Sequence, residues 1–372
     1  MVRDEDEGQD WRSVSTRALN PEELAEARQR AHEPGRGRRA TDPVDLPNAG
    51  WRDILWRVFW AMPQDRVLTT AGGVAFFALL AVFPGLVAVV SIYGLFSDPH
   101  VISQHVSLLT DILPPGALEL VSDQLVRIAQ HSTGSLSTTS GISLLIALWS
   151  ANSGVSALFD ALNVIYKERE KRSLVRFYAT TFLFTITSVV FFLVSTSAVV
   201  LLPAILDRLG FITATDTILQ IVRWPALLGV VTLSLSLIYR YGPSRNRAKW
   251  RWVTWGSSLA ALFWVGASGV FSWYVASFDS YNRIYGSLGA GIGFMTWMWL
   301  SIVIVLVGAE INSEMERQTG CDSTEGRPKP LGVREAFAAD SVGPSQDEAN
   351  QDAASQDAVN PDAGGARSEA RR

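Results

Sequence analysis

Six apolar stretches of bilayer length constrain this chain more than any other feature. They cover about residues 67–96, 136–159, 177–206, 218–239, 253–278 and 288–309, and charge interrupts them only at Asp160 and Arg223. A helix needs about 20 apolar residues to cross a membrane. Hydrocarbon offers no water to the backbone N–H and C=O groups, so such segments must be helical. The expected fold class is all-α, an integral membrane bundle of six transmembrane helices.

The loops fix an expected orientation. Arg52, Arg57 and Arg66 precede the first stretch. Lys167, Arg169, Lys171, Arg172 and Arg176 follow the second, and Arg240, Arg245, Arg247, Lys249 and Arg251 follow the fourth. The other three loops carry only Arg127, Arg208 and Arg283. Basic loops stay on the cytoplasmic side, so both termini are expected in the cytoplasm. The basic face attracts anionic lipid head groups, which makes membrane lipids the expected partners. The positive-inside pattern already accounts for the basic charge, so no nucleic-acid partner is expected, and a homo-oligomer is left open. No signal peptide is visible, so the first span is expected to act as an uncleaved anchor. The lone Cys321 permits no intrachain disulfide.

Composition divides the chain into three parts. Residues 1–49 and 318–372 are polar, and disordered cytoplasmic tails are expected there. Residues 50–317 form the six-helix transmembrane domain. Just before the first span, Trp51, Ile54, Leu55, Val58, Phe59 and Met62 recur at helical spacing, with Arg52, Asp53 and Arg57 between them. This pattern predicts an interfacial amphipathic helix. Pro63 argues against simple continuity with the first span. In the first outer loop, Leu118, Val121, Leu125 and Ile128 form one apolar stripe after Pro114-Pro115-Gly116. A helix is expected there, as a packed cap or a mobile lid.

Polar groups inside a membrane are costly and call for partners. Asn152, Ser156, Asp160 and Asn163 fall within about 80° on a helical wheel. They line a water-filled path or hydrogen-bond neighbouring helices. Glu310 and Asn312 end the sixth span, with Glu314 one turn further on. Asp160, Glu310 and Arg240 are expected at the same cytoplasmic level, with both carboxylates facing the bundle interior. They would form a polar lock, a gate or a proton site. Pro84-Gly85 predicts a kink in the first span. Gly286, Gly289 and Gly293 have the small-xxx-small spacing of closely packed helices.

Enzyme chemistry has little support. None of His32, His100, His105 and His131 lies in a metal-binding motif, and there is no P-loop, GxSxG or HExxH. No catalytic, cofactor or metal site is expected.

Several stretches resemble the YihY / virulence factor BrkB family of bacterial inner-membrane proteins. They are Ala75 to Pro84, Ala147-Leu148-Trp149-Ser150-Ala151, Ala161 to Tyr166, Glu170-Lys171-Arg172, Tyr239-Arg240-Tyr241-Gly242-Pro243, Tyr285 to Ala290, and Gly308-Ala309-Glu310-Ile311-Asn312. The resemblance covers about residues 50–317. It implies a six-helix envelope protein from a family once labelled ribonuclease BN, some of whose members are linked to resistance to serum killing. A transporter-like role with a lipid or small amphiphile is the expected function. A non-transporting envelope scaffold is the alternative, and a membrane-bound nuclease comes last.

Overall fold

The computed structural model describes residues 19–96, 138–208, 215–277 and 287–359. Helices make up the secondary structure there, in the order α1 (Pro21–Arg30), α2 (Asn48–Gln64), α3 (Val67–Phe96), α4 (Thr138–Ile165), α5 (Leu174–Arg208), α6 (Thr215–Tyr241), α7 (Trp250–Ser277), α8 (Ser287–Glu316), α9 (Phe337–Asp340) and α10 (Gln346–Val359). A lone bridge joins Ala248 and Thr324.

Among the described residues, four helical segments are long and apolar enough to cross a membrane: Leu145–Ile165, Leu174–Phe191, Trp250–Tyr274 and Gly291–Glu316. Asn48–Gln64 and Val67–Val82 pass together as a pair bent by 64°, and Pro225–Tyr241 is a shorter apolar helix. The described outer-loop residues stop at Phe96, so the expected outer-loop helix lies outside them.

The predicted break before the first span is present. Pro63 sits in the last turn of α2, and Arg66 turns the chain with φ 50. α3 then runs as one helix through Pro84 and Gly85. A second left-handed residue, Lys167 with φ 54, ends α4. Lys167 N donates to Val164 O, and Glu168 N donates to Asn163 O at 2.8 Å. This is the Schellman arrangement, whose left-handed position usually holds glycine.

The buried core joins the α2–α3 elbow to the ends of α4, α6, α7 and α8. Val67, Ala71, Val74, Leu162, Ile165, Tyr239, Val253, Ala261, Leu306 and Ala309 meet there. Small residues let the backbones approach. A Cβ on Gly256 of α7 would lie 2.3 Å from Asn312 Oδ1 on α8. One on Gly308 of α8 would lie 2.6 Å from the Tyr239 hydroxyl. Of the glycines singled out by spacing, Gly293 alone has described surroundings. A Cβ on Gly293 would meet nothing within 4 Å, the surroundings of Gly289 are not among those described, and Gly286 lies outside the described residues.

Much of the two tails, for which composition predicts disorder, is packed against the bundle. Residues 19–47 bury Ala27, Arg38, Ala40 and Leu46, and the chain after α8 buries Gln318, Thr319, Arg334, Ala338, Asp340 and Ser345. Composition misleads here because a few apolar contacts, such as Ala40 and Leu46 against Ile54 and Trp252, are joined by many polar bonds to the bundle. Gly320 N donates to Arg38 O at 2.8 Å, Gly343 N to Arg317 O at 2.9 Å, and Thr319 Oγ1 to Ala40 O at 2.7 Å. The folded unit therefore extends beyond residues 50–317 at both ends. Residues 1–18 and 360–372 lie outside the described chain.

Candidate functional site

The polar residues named from the sequence go to several different places. On α4, Asn152 is buried and accepts a 3.0 Å hydrogen bond from Thr185 Oγ1 of α5. Its Nδ2 reaches Ser156 Oγ at 3.4 Å. Three turns on, Asn163 accepts from Ser244 N at 2.8 Å and donates to Glu170 at 3.0 Å. Both asparagines thus tie α4 to neighbouring elements, which is the interhelical use of polar groups.

Asp160 departs from expectation, since it is exposed rather than interior. Asp160 turns outward on the same helix that buries Asn152 and Asn163. Arg240 also departs. It is buried, donates to Ala248 O, pairs with Glu325 at 2.9 Å, and lies over the Trp250 ring at 4.7 Å. Its carboxylate comes from the segment after α8, not from Asp160 or Glu310. Glu310 and Asn312 are interior, at 1% and 0% exposed. Asn312 Oδ1 accepts from Gly256 N at 3.0 Å.

The basic loops converge on one cavity of about 1350 Å³. Its walls come from the α4–α5 loop, the start of α5, the α6–α7 loop and residues 325–340. Arg172, Arg176, Arg247 and Lys329 supply positive charge, while Leu183 and Phe184 of α5 supply an apolar wall. Arg172 clamps the loops together. It holds Glu170 at 2.7 Å and donates to Gly242 O at 2.8 Å. Burial alone would push the Glu170 carboxyl up, but the Arg172 hydrogen bonds hold it at about 2. At the cavity wall, Arg245 pairs with Glu316 at 2.6 Å, both almost fully buried, and lies over the Tyr166 ring at 4.4 Å. Burial opposes the Arg245 charge, but Glu316 outweighs it and leaves the pKa above its ordinary value. Burial likewise raises Glu168, with partial relief from the Phe337 N–H and Lys171. Arg176 and Arg247 have no carboxylate partner among the described residues.

A second group lies inside the bundle. Asp65, at the α2–α3 elbow, faces Glu310 of α8 within hydrogen-bonding range. Nothing in the sequence pattern marked Asp65, since it falls between an amphipathic segment and an apolar stretch. Tyr166, read only as part of a motif, is fully buried beside Asn312 and Glu310. Burial pushes its hydroxyl pKa up. Among the described residues, no group of three or more His, Cys, Asp and Glu side chains is placed to hold a metal ion.

Most of this framework falls within one family. The family model "Virulence factor BrkB" matches residues 58–331, from α2 through the cavity-lining segment after α8. The chain belongs to the virulence factor BrkB family. It is 29% identical over 252 residues to "Putative ribonuclease-like protein YfkH" of Bacillus subtilis, covering 66% of this chain and 88% of that protein. It is 27% identical over 277 residues to a "UPF0761 membrane protein" of Vibrio atlanticus, covering 71% and 83%. A further "UPF0761 membrane protein", of Alkalilimnicola ehrlichii, is 27% identical over 262 residues, and the chain spans only 56% of its length. No solved structure matches significantly. Family and fold together make this a helical membrane protein of the BrkB type.

Proposed function

We propose that this BrkB-family protein crosses the bacterial inner membrane six times, with both termini cytoplasmic, and handles an anionic lipid or small amphiphile at its cytoplasmic end. The carrying observation is the mixed character of the cavity. Arg172, Arg176, Arg247 and Lys329 line it together with the apolar Leu183 and Phe184. Leu183 is also 63% exposed on α5, so the apolar wall continues onto the outer surface of a membrane-length helix. An amphiphile has the matching shape, with a charged head at the loops and a chain along α5. The alternation of basic and non-basic loops supports the orientation.

The test is binding and flipping in liposomes with purified protein. A well-placed cation near an anionic head group contributes about 1 kcal/mol. Replacing the two cations without a carboxylate partner, as Arg176→Gln with Arg247→Gln, should weaken phosphate-bearing lipid binding roughly 30-fold, because about 1.4 kcal/mol is tenfold. Binding of a zwitterionic lipid should change far less. Equal affinity for both lipids, untouched by the double variant, would sink the proposal. Selective binding without flipping would favour the scaffold reading. We also propose that the protein is not an enzyme. A nuclease activity lost in a point mutant of this chain would refute that.

A further inference from the structure

The Asp65–Glu310 contact has a chemical requirement that the rest of the bundle does not meet. Two ionised carboxylates carry acceptors and no donor, so a hydrogen bond between them needs one proton. Like charges at that range, withdrawn from water, do not both stay ionised. Asp65 Oδ2 and Glu310 Oε1 are buried, and neither receives a hydrogen bond from a donor group among the described residues. Two more buried polar groups, the Tyr166 hydroxyl and the Asn312 side chain, face each other beside Glu310.

The surrounding charges leave the pair as the unresolved element. Lys167, at the end of α4, acts electrostatically on both carboxyls. It forms no ion pair with either among the described residues. Glu314, one turn along α8, adds negative charge, but Arg57 of α2 and Arg317 each hold it at 2.5 Å. Arg245 is taken by Glu316. Burial also pushes the Asp65 carboxyl upward. Backbone strain brackets the site. Of the three non-glycine residues with positive φ among those described, Arg66 adjoins Asp65 and Lys167 supplies the nearby cation. Such strain tends to gather at switch points.

We propose that Asp65 and Glu310 form a proton-binding site: the pair shares one proton at neutral pH, and its loss drives the α2–α3 elbow away from α8. In the step, the O–H bond of the shared proton breaks and the proton passes to water. Two facing carboxylates remain, one on the elbow and one on α8. Separation relieves the repulsion, and the elbow is the element that turns. Use of this proton to drive transport would rest on the proposed function; the site itself does not.

The experiment is infrared spectroscopy of the full-length protein in vesicles across a pH series, with no lipid substrate added. Wild type should show a protonated-carboxyl C=O stretch at neutral pH that is lost in one step on alkaline titration. Asp65→Asn and Glu310→Gln should each abolish it. Each amide supplies the donor that the proton supplied, so both variants should fold. Should one fail to fold, the wild-type titration decides. The absence of a protonated carboxyl at neutral pH overturns the proposal, as does a band that survives both substitutions. Loss of the band on adding sodium at fixed pH would also overturn it, in favour of a cation site. Hydrogen exchange reads the hinge. The amides of Asp65, Arg66 and Thr70, which donate to Ala61, Pro63 and Arg66, should lose protection above the titration step in wild type and keep it in Glu310→Gln. Unchanged protection in wild type would overturn the movement. A protein that shows the band but binds no lipid would refute the proposed function and leave this site standing.

Discussion

Arg57→Met should release the segment that follows α8 while leaving the helices folded. Arg57 lies on α2, and its guanidinium meets Glu314 Oε2 at 2.5 Å, Glu314 O at 3.0 Å, Gln318 Oε1 at 2.7 Å and Pro344 O at 3.0 Å. The two charged side chains are 5% and 2% exposed. Methionine keeps much of the apolar stem and removes every donor. Breaking a buried ion pair by deleting one partner destabilises by about 3–5 kcal/mol, because the other charge is stranded. Glu314 retains Arg317 at 2.5 Å, so the low end, about 3 kcal/mol, applies. At about 1.4 kcal/mol per tenfold, the open population of the segment rises roughly 100-fold. Limited proteolysis tracks that population when reclosing outpaces cleavage. Cleavage between residues 318 and 345 should therefore accelerate by about that factor with the transmembrane fragment intact. Arg57→Lys, which keeps the charge but loses the planar fork, should fall between the two. Cleavage of Arg57→Met within about twofold of wild type would refute the reasoning.

Three further outcomes follow from particular contacts. Gly256→Ala should lower the melting temperature, since its Cβ would lie 2.3 Å from Asn312 Oδ1 and 2.7 Å from Gly308 O. Overpacking of this kind destabilises by about 1–3 kcal/mol. Gly266→Ala, with nothing within 4 Å, should be neutral or stabilising, and equal effects at both sites would sink the packing argument. Glu170 has a folded pKa of about 2, below the ordinary carboxyl value of about 4.3. Its stabilisation is present above the unfolded value and is lost as pH falls from about 4.5 towards 2. The melting temperature of wild type should exceed that of Glu170→Gln near neutral pH, and the gap should close across that window; a gap independent of pH would contradict the assignment. For topology, Ser122→Cys in a Cys321→Ser background should react with an impermeant reagent from outside, and Arg247→Cys should not. The reverse pattern would overturn the orientation.

The helices were legible in the sequence because bilayer length and uniform apolarity leave the backbone few alternatives. Pro63 marked the end of α2, and helical spacing marked α2 itself. What spacing could not show is which neighbour, if any, each face meets. Asn163 and Asp160 share one stripe on α4, yet one is buried against Ser244 and the other is exposed. Gly293 has packing spacing, yet its Cβ would meet nothing within 4 Å, and the close approach falls at Gly256 and Gly308. The exposed face of α2 is apolar, with Leu55, Phe59 and Trp60 outward, while Asp53 and Arg57 are buried under the two tails.

The same limit explains the tails and the carboxyl pair. Low apolar content argues that a segment cannot pack by itself, and it says nothing about a partner surface already rich in cations and open backbone groups. Asp53 accepts from Arg36 at 2.9 Å and from Gln346 N at 3.1 Å, across sequence gaps that no periodicity spans. Asp65 is one polar residue among many in the chain, and it becomes unusual only where the elbow sets it against Glu310. Sequence alone determined that this is a helical membrane protein, because hydrophobic transfer and backbone satisfaction depend on local composition. Tertiary structure alone decided which charges are buried and what they face, because electrostatics depends on distance in space.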